Sequence, residues 1–193
     1  LIYSDTDIWK SLHNGDIEIN PFDEDQLGTN SYDVRLGNDF YEVKWDKEGP
    51  YFIGPYHFED GERVYIPTAG TLLGMTKERI ATHGKVGAEL RSRSTTRRVG
   101  ITTNCDAGLG DIGYGWHRND LGRKTNNGHW TIELTAFVSN SNDRPFLIAG
   151  ERIAQIVFFE CKSEPTKEYD GQYQVNWPEN MIPAEWRHRI DKK

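Results

Sequence analysis

Cysteine, net positive charge and long apolar runs are all scarce in this chain, and each scarcity excludes something. Two cysteines, Cys105 and Cys161, stand among 193 residues. They cannot form a disulfide framework, and a reducing, cytoplasmic setting is the simple expectation. Lys and Arg total 23 against 30 Asp and Glu, for a net charge of −7 and a pI near 5.4. That balance argues against a general nucleic-acid or membrane-surface binder, which would need a basic face. No apolar stretch approaches the roughly 18 residues of a membrane span, and the opening residues are not expected to act as a secretory leader. The hydrophobic content of 36% is low to normal and suits one core in one domain. No internal repeat or low-complexity tract occurs.

Turn-formers, by contrast, are plentiful, with 19 glycines and 8 prolines. Ser4 followed by Asp7 three residues on, then Ile8, Trp9 and Leu12, predicts a capped amphipathic helix that stops at Asn14-Gly15. After it, short stretches of strand character dominate, at 17–19, 32–36, 39–44, 63–66, 71–76, 85–90, 131–138 and 152–159. Turn signals such as Gly37-Asn38, residues 46–50, residues 67–70 and Ala149-Gly150 separate them. The spacing predicts a mostly β fold, a sandwich, jelly roll or barrel with a few short helices. Residues 115–127 are polar and without period, and are read as an inserted loop. Residues 161–193 are read as a polar tail, which Trp177, Pro178, Pro183 and Trp186 could clip onto the body or a neighbour.

One strand carries the most informative side chain. Ile132, Leu134, Ala136 and Val138 alternate with Thr131, Glu133 and Thr135, so Glu133 lies on the polar face of a half-buried strand. Upstream, four arginines fall within eight residues (Arg91, Arg93, Arg97 and Arg98), interleaved with Ser92, Ser94, Thr95 and Thr96. A planar guanidinium suits phosphate oxygens, and a loop entering a helix N-terminus favours anions. Asp111 lies between the two features among glycines. An anion cradle with a placed carboxylate is the kit of a nucleotide-processing enzyme. Zinc is not expected: the cysteines stand 56 positions apart, the six histidines are scattered, and no His-x-Glu with Cys-x-x-Cys occurs.

In this order the landmarks resemble the dCTP deaminase branch of the dUTPase-like superfamily. The resemblance runs from about Ser4 to Gln172. It rests on Ser31-Tyr32-Asp33-Val34-Arg35-Leu36-Gly37, on Gly74-Met75-Thr76-Lys77-Glu78, and on Arg93-Ser94-Thr95-Thr96-Arg97-Arg98. It continues through Ala107-Gly108, Asp111-Ile112-Gly113-Tyr114, Thr131-Ile132-Glu133, and the stretch from Pro145 to Gln155.

The resemblance implies a homotrimer of distorted β-barrels or jelly rolls with active sites between subunits, and a deamination site without a protein-bound metal. Mg2+ would ride on the triphosphate of dCTP or dUTP, and dTTP is a further ligand of such a site. Glu133 would be the general base and acid. Ser94 and the Ala107 carbonyl would hold the attacking water, while Arg98 would support developing charge or orient Glu133. Arg93, Ser94, Thr95 and Arg98 would bind phosphates, and Asp111 would lie at the sugar 3′-hydroxyl. Thr131, Ile132 and Gln155 would contact the nucleotide, and Tyr169 and Gln172 would close over phosphates from a tail spanning 161–193. Residues 1–160 would form the β domain, with the helix in residues 1–16.

The chain departs from the family pattern at Gly110, where an apolar residue is usual, and at Asp106, where a small hydroxyl residue is usual. Residues 115–127 add about a dozen positions to a tight hairpin, and the tail is short, with its lysine displaced to Lys167. The product is left open between dUTP and dUMP plus pyrophosphate. A dUTPase without deamination and a non-catalytic nucleotide-sensing regulator are the alternatives.

Overall fold

A computed structural model describes residues 1–103, 107–118, 124–126, 128–138, 142–175 and 178–191, with backbone alone at 117–118 and 124–126. The chain opens with helix α1 (Asp5–Asn14). Then come β1 (Ile17–Asn20), β2 (Tyr32–Arg35), β3 (Asp39–Asp46), β4 (Gly49–His57), β5 (Arg63–Tyr65), β6 (Leu72–Thr82) and β7 (Val86–Ser92). The short helix α2 (Ser94–Arg98) leads into β8 (Ile101–Thr102), β9 (Leu109–Gly110), β10 (Trp116–Arg118) and β11 (Lys124–Asn126). The chain continues as β12 (His129–Ala136), β13 (Phe146–Ile148) and β14 (Arg152–Glu160), and ends on β15 (Ile190–Asp191).

α1 begins and ends as its sequence dictates. The Ser4 side chain accepts the Asp7 amide while Asp7 accepts the Ser4 amide, a reciprocal capping box, and Gly15 closes the helix at φ +81°. The strands form two main sheets. One runs β15-β4-β3-β6-β12-β8, with β1 also on β6; the other runs β2-β14-β7-β9. A single cluster of buried side chains draws on both, including Val34, Leu90, Ile132, Leu134, Ile156 and Phe158. Each such side chain contributes about 1.5–3 kcal/mol by leaving water. The fold is mostly β with few helices, as the turn spacing predicts.

Three expectations need correction. β4 had no counterpart in the sequence reading because Gly49, Pro50, Gly54 and Pro55 punctuate it. It pairs with β3 all the same, and the register shifts between Phe40 and Glu42, opposite its Gly-Pro step. Residues 115–127 are not loop throughout: β10 and β11 pair antiparallel, from Trp116↔Asn126 to Arg118↔Lys124. The polar composition hid a hairpin too short to show a period. The tail is not merely polar either. Its 3-10 turns Glu179–Met181 and Ala184–Arg189 lead into β15, which pairs parallel with β4.

That last segment covers the outer face of the first sheet. Met181 and Ile182 build a second core there with Tyr41, Phe52, Leu73 and Met75. β6 is therefore buried on both faces from Leu72 to Thr76. Arg189 ties the end down by pairing with Asp46 at 2.7 Å. Trp177, one of the expected clips, lies outside the described residues; Trp186 packs where a Cβ on Gly49 would stand, 3.0 Å away.

Candidate active site

β12 alternates strictly. Trp130, Ile132, Leu134 and Ala136 enter the first core, which leaves Thr131, Glu133 and Thr135 on the other face. On an uncovered sheet that face would meet water. Here the C-terminal segment roofs it and a chamber of about 610 Å³ remains beneath. Glu133 and Thr131 lie on its floor. Ala107, Leu109, Gly110 and Asp111 form one side, and the aromatic residues Phe52, Tyr114, Trp130, Tyr169, Tyr173 and Trp186 contribute to the rest.

Burial sets the electrostatics of Glu133. Its Oε2 is buried and finds no hydrogen-bond partner among the described residues. Loss of water pushes its carboxyl up to about 7 from an ordinary 4.5. Burial likewise raises the Tyr114 phenol well above its ordinary range, with Tyr169 and Glu133 adding to the effect. The Tyr114 ring meets Trp130 edge-on at 5.3 Å and Tyr169 at 5.6 Å. Trp130 in turn donates its indole N–H to the Ile80 carbonyl at 3.1 Å. This packing accounts for Gly110. A Cβ there would stand 2.1 Å from the Trp130 ring, so the tryptophan takes the space of the apolar side chain expected at 110.

The arginine segment is elsewhere. Ser94, Thr95, Arg97 and Arg98 are exposed on α2, and none of residues 93–98 lines the chamber. Thr96 pins the helix by donating to the Ile153 carbonyl at 2.9 Å. Arg93 is partly engaged: its Nε stands 3.2 Å from Asp33 and its Nη1 donates to the Arg152 carbonyl. Gln155 belongs to the same side of the molecule, opposite Asp33 and Arg91 on neighbouring strands.

One chain thus unites Ala107, Asp111, Thr131, Glu133 and Tyr169 and separates them from Arg93, Ser94, Thr95, Arg98 and Gln155. Two expected contacts change character. The Ile132 side chain is fully buried in the first core, so only its backbone can face a ligand. Gln172 accepts the Ala184 amide through its side chain at 2.8 Å and so belongs to the tail's own folding. Tyr169 holds its place by donating its amide to the Ile112 carbonyl at 2.8 Å. Asp106 and Cys105 lie outside the described residues.

Sequence reasoning missed the aromatic walls at Tyr114, Tyr173, Phe52 and Trp186. One signal was present: the unbroken run Leu72-Leu73-Gly74-Met75 marks a strand covered on both faces. Among the described residues, no group of three His, Cys, Asp or Glu side chains comes together as a metal site. No described helix is long and apolar enough to cross a membrane.

Fold and site define a class: a two-sheet β protein that holds one desolvated carboxylate in an aromatic chamber and displays a separate arginine-rich helix. Residues 2–161 match the family model described as dCTP deaminase-like, and the chain belongs to that family. A dCTP deaminase of Natronomonas pharaonis is 30% identical over all of this chain and 97% of its own length. A dUMP-forming dCTP deaminase of Dictyoglomus thermophilum is 31% identical over 99% of this chain and 96% of its own. Among solved structures, the 2′-deoxycytidine 5′-triphosphate deaminase of Agrobacterium tumefaciens shares the fold. Its TM-score is 0.56 at 19% identity, over 81% of this chain and about half (47%) of that one.

Proposed function

We propose that this protein deaminates dCTP by hydrolysis at C4, with Glu133 as the proton carrier. The observation that carries the reading is the desolvated Glu133 carboxylate, one oxygen unpartnered, in a chamber large enough for a pyrimidine. A carboxyl held near 7 is poised both to take and to give a proton at neutral pH. Water attacks C4 of the cytosine ring. Glu133 takes one of its protons and delivers it to ring N3, which leaves a tetrahedral carbon bearing hydroxyl and amine. The hydroxyl proton then passes through Glu133 to the amine, the C4–N bond breaks, ammonia leaves and the carbonyl of uracil forms.

The attacking water needs fixed dipoles and a cation. The reading assigns these to Ser94, the Ala107 carbonyl and Arg98. Residues 93–98 lie away from the chamber of their own chain, so the reading takes Ser94 and Arg98 from a neighbouring copy, in a homotrimer with shared sites. Arg93 and Thr95 join them on the triphosphate, and Tyr169 closes from the tail. Mg2+ enters with the nucleotide, bound by phosphate oxygens.

Relatives named dUMP-forming support a second hydrolytic step, from dUTP to dUMP and pyrophosphate. The reading gives the activation of water for it to Asp111, which is exposed and lines the chamber. The test is incubation with dCTP and Mg2+ while ammonia, dUTP, dUMP and pyrophosphate are followed together. Ammonia with dUMP and pyrophosphate is the expected result. Ammonia with dUTP removes the second step, and pyrophosphate from dUTP without ammonia from dCTP overturns deamination.

A further inference from the structure

The hairpin formed by β10 and β11 and the C-terminal tail are far apart in sequence and close in space. They meet at one residue. His83, in the turn after β6, brings its Nδ1 to 2.7 Å from the Glu168 carboxylate. The same imidazole stacks on the Trp116 indole, with centroids 4.6 Å apart and planes 26° from parallel. Trp116 is the first residue of the hairpin, and Glu168 immediately precedes Tyr169.

Around this contact the tail is fastened to the turn that carries Asp111. Glu168 and Tyr169 lie directly over Gly113, where a Cβ would come within 2.8 Å of the Glu168 Cβ and 2.9 Å of the Tyr169 amide nitrogen. Gly113 also has φ +94°, a conformation that suits glycine. Its amide donates to the Thr82 carbonyl, next to His83. Gln174 donates its side-chain amide to the carbonyls of both Gly113 and Tyr169. Tail, Asp111 turn and His83 turn are thus one bonded unit, held entirely by contacts within the chain.

We infer that His83 and Trp116 are positioning residues that hold Tyr169 at the chamber before substrate arrives. The inference rests on the proposed deamination reading. The physical case is one of magnitudes. The side chains of His83 and Glu168 are 23% and 39% exposed, and a pair so open to water is weak by itself. An indole laid on one face of the imidazole excludes water from that side and strengthens the contact. The hairpin therefore fastens the tail through contacts that need no ligand. The ordering cost is met during folding, and apparent affinity rises by the inverse of the fraction already closed.

Hydrogen exchange on the ligand-free protein, paired with dCTP kinetics, tests this. In the wild type, amides of residues 169–174 should exchange at least tenfold slower than an unstructured peptide. His83→Ala and Trp116→Ala should each remove most of that protection and raise KM for dCTP about tenfold, with kcat within about twofold. Trp116→Phe keeps a ring on the imidazole, and His83→Asn keeps a side-chain donor. Both should retain most of the protection, and they stand in for the alanine variants if β12 amides show that those have unfolded. A wild-type tail that exchanges like free peptide overturns the inference. So does His83→Ala with tail protection and KM unchanged. If the wild type releases no ammonia from dCTP, the functional reading fails, while the exchange data still decide whether the tail is held.

Discussion

The Glu133 chamber and the arginine helix are built on opposite terms with water. Glu133 sits under a roof of the chain's own making, among aromatic rings, with its carboxyl pushed up to about 7. Arg98, Ser94 and Thr95 stand in the open on a helix of five residues. A carboxylate needs low dielectric to become a useful proton carrier, and one chain can supply that by covering a sheet face. On the proposed function, guanidiniums that are to stay charged and meet a triphosphate are best left exposed until ligand and neighbour arrive. The contrast teaches that one chain can dry a carboxylate by covering a sheet face while it leaves a cluster of arginines in water.

The sharpest way to break the comparison is Glu133→Gln. The amide fits the chamber but cannot accept the water's proton. Ammonia release should fall about 10³-fold, within the 10²–10⁴-fold range of general acid–base catalysis. Binding of a non-hydrolysable dCTP analogue, read by calorimetry, should stay within about tenfold. Turnover near wild type would remove Glu133 from the mechanism.

Mixing separates the two halves directly. On the proposed shared site, Arg98→Ala and Glu133→Gln should each be nearly inactive alone. Co-refolded at equal amounts, they should regain activity at about a quarter of the sites, because an intact Glu133 and an intact Arg98 then meet across some interfaces. Mixtures that remain as dead as the parents would show that the two regions do not share a site.

Much of the fold was legible in the sequence because local rules agreed. The Ser4–Asp7 capping box, the Gly15 stop and the alternation through Glu133 each followed from residue type and spacing, and each appears in the structure. What could not be read was long-range. Nothing near Glu133 in sequence says that Trp186, more than fifty residues later, will help wall its polar face. Nor does the punctuated stretch from Gly49 to His57 announce a strand, since its pairing with β3 overrides its glycines and prolines. The arginine run did announce itself, but nothing in its spacing says that it folds away from the Glu133 chamber.

A stability measurement sharpens the claim that Glu133 is desolvated. Its folded pKa, about 7, lies above the ordinary 4.5. Between those values the unfolded chain has released its proton while the folded chain still holds it, so stability falls as pH rises from 4.5. The loss is complete above about 7 and amounts to at most about 3 kcal/mol. Glu133→Gln removes the penalty. Denaturant unfolding should find the variant close to wild type at pH 4.5 and more stable by on the order of 2–3 kcal/mol at pH 8. Equal stabilities at both pH values would mean that the carboxylate is solvated.

The smallest expected effect tests the roof itself. Trp186 packs against Gly49 and lines the chamber together with Pro183 and Met181. Trp186→Ala should admit water without touching the floor of the site, and a better-hydrated Glu133 ionises more readily. The acidic limb of kcat/KM against pH, which reports the general base in the free enzyme, should then move down by about one unit while the alkaline limb stays in place. Trp186→Phe, which keeps an apolar ring over the chamber, should hold the limb within a few tenths of wild type. A limb that does not move in the alanine variant would mean that the strand and the Tyr114–Tyr169 pair keep Glu133 dry by themselves, and that the C-terminal segment serves only the second core.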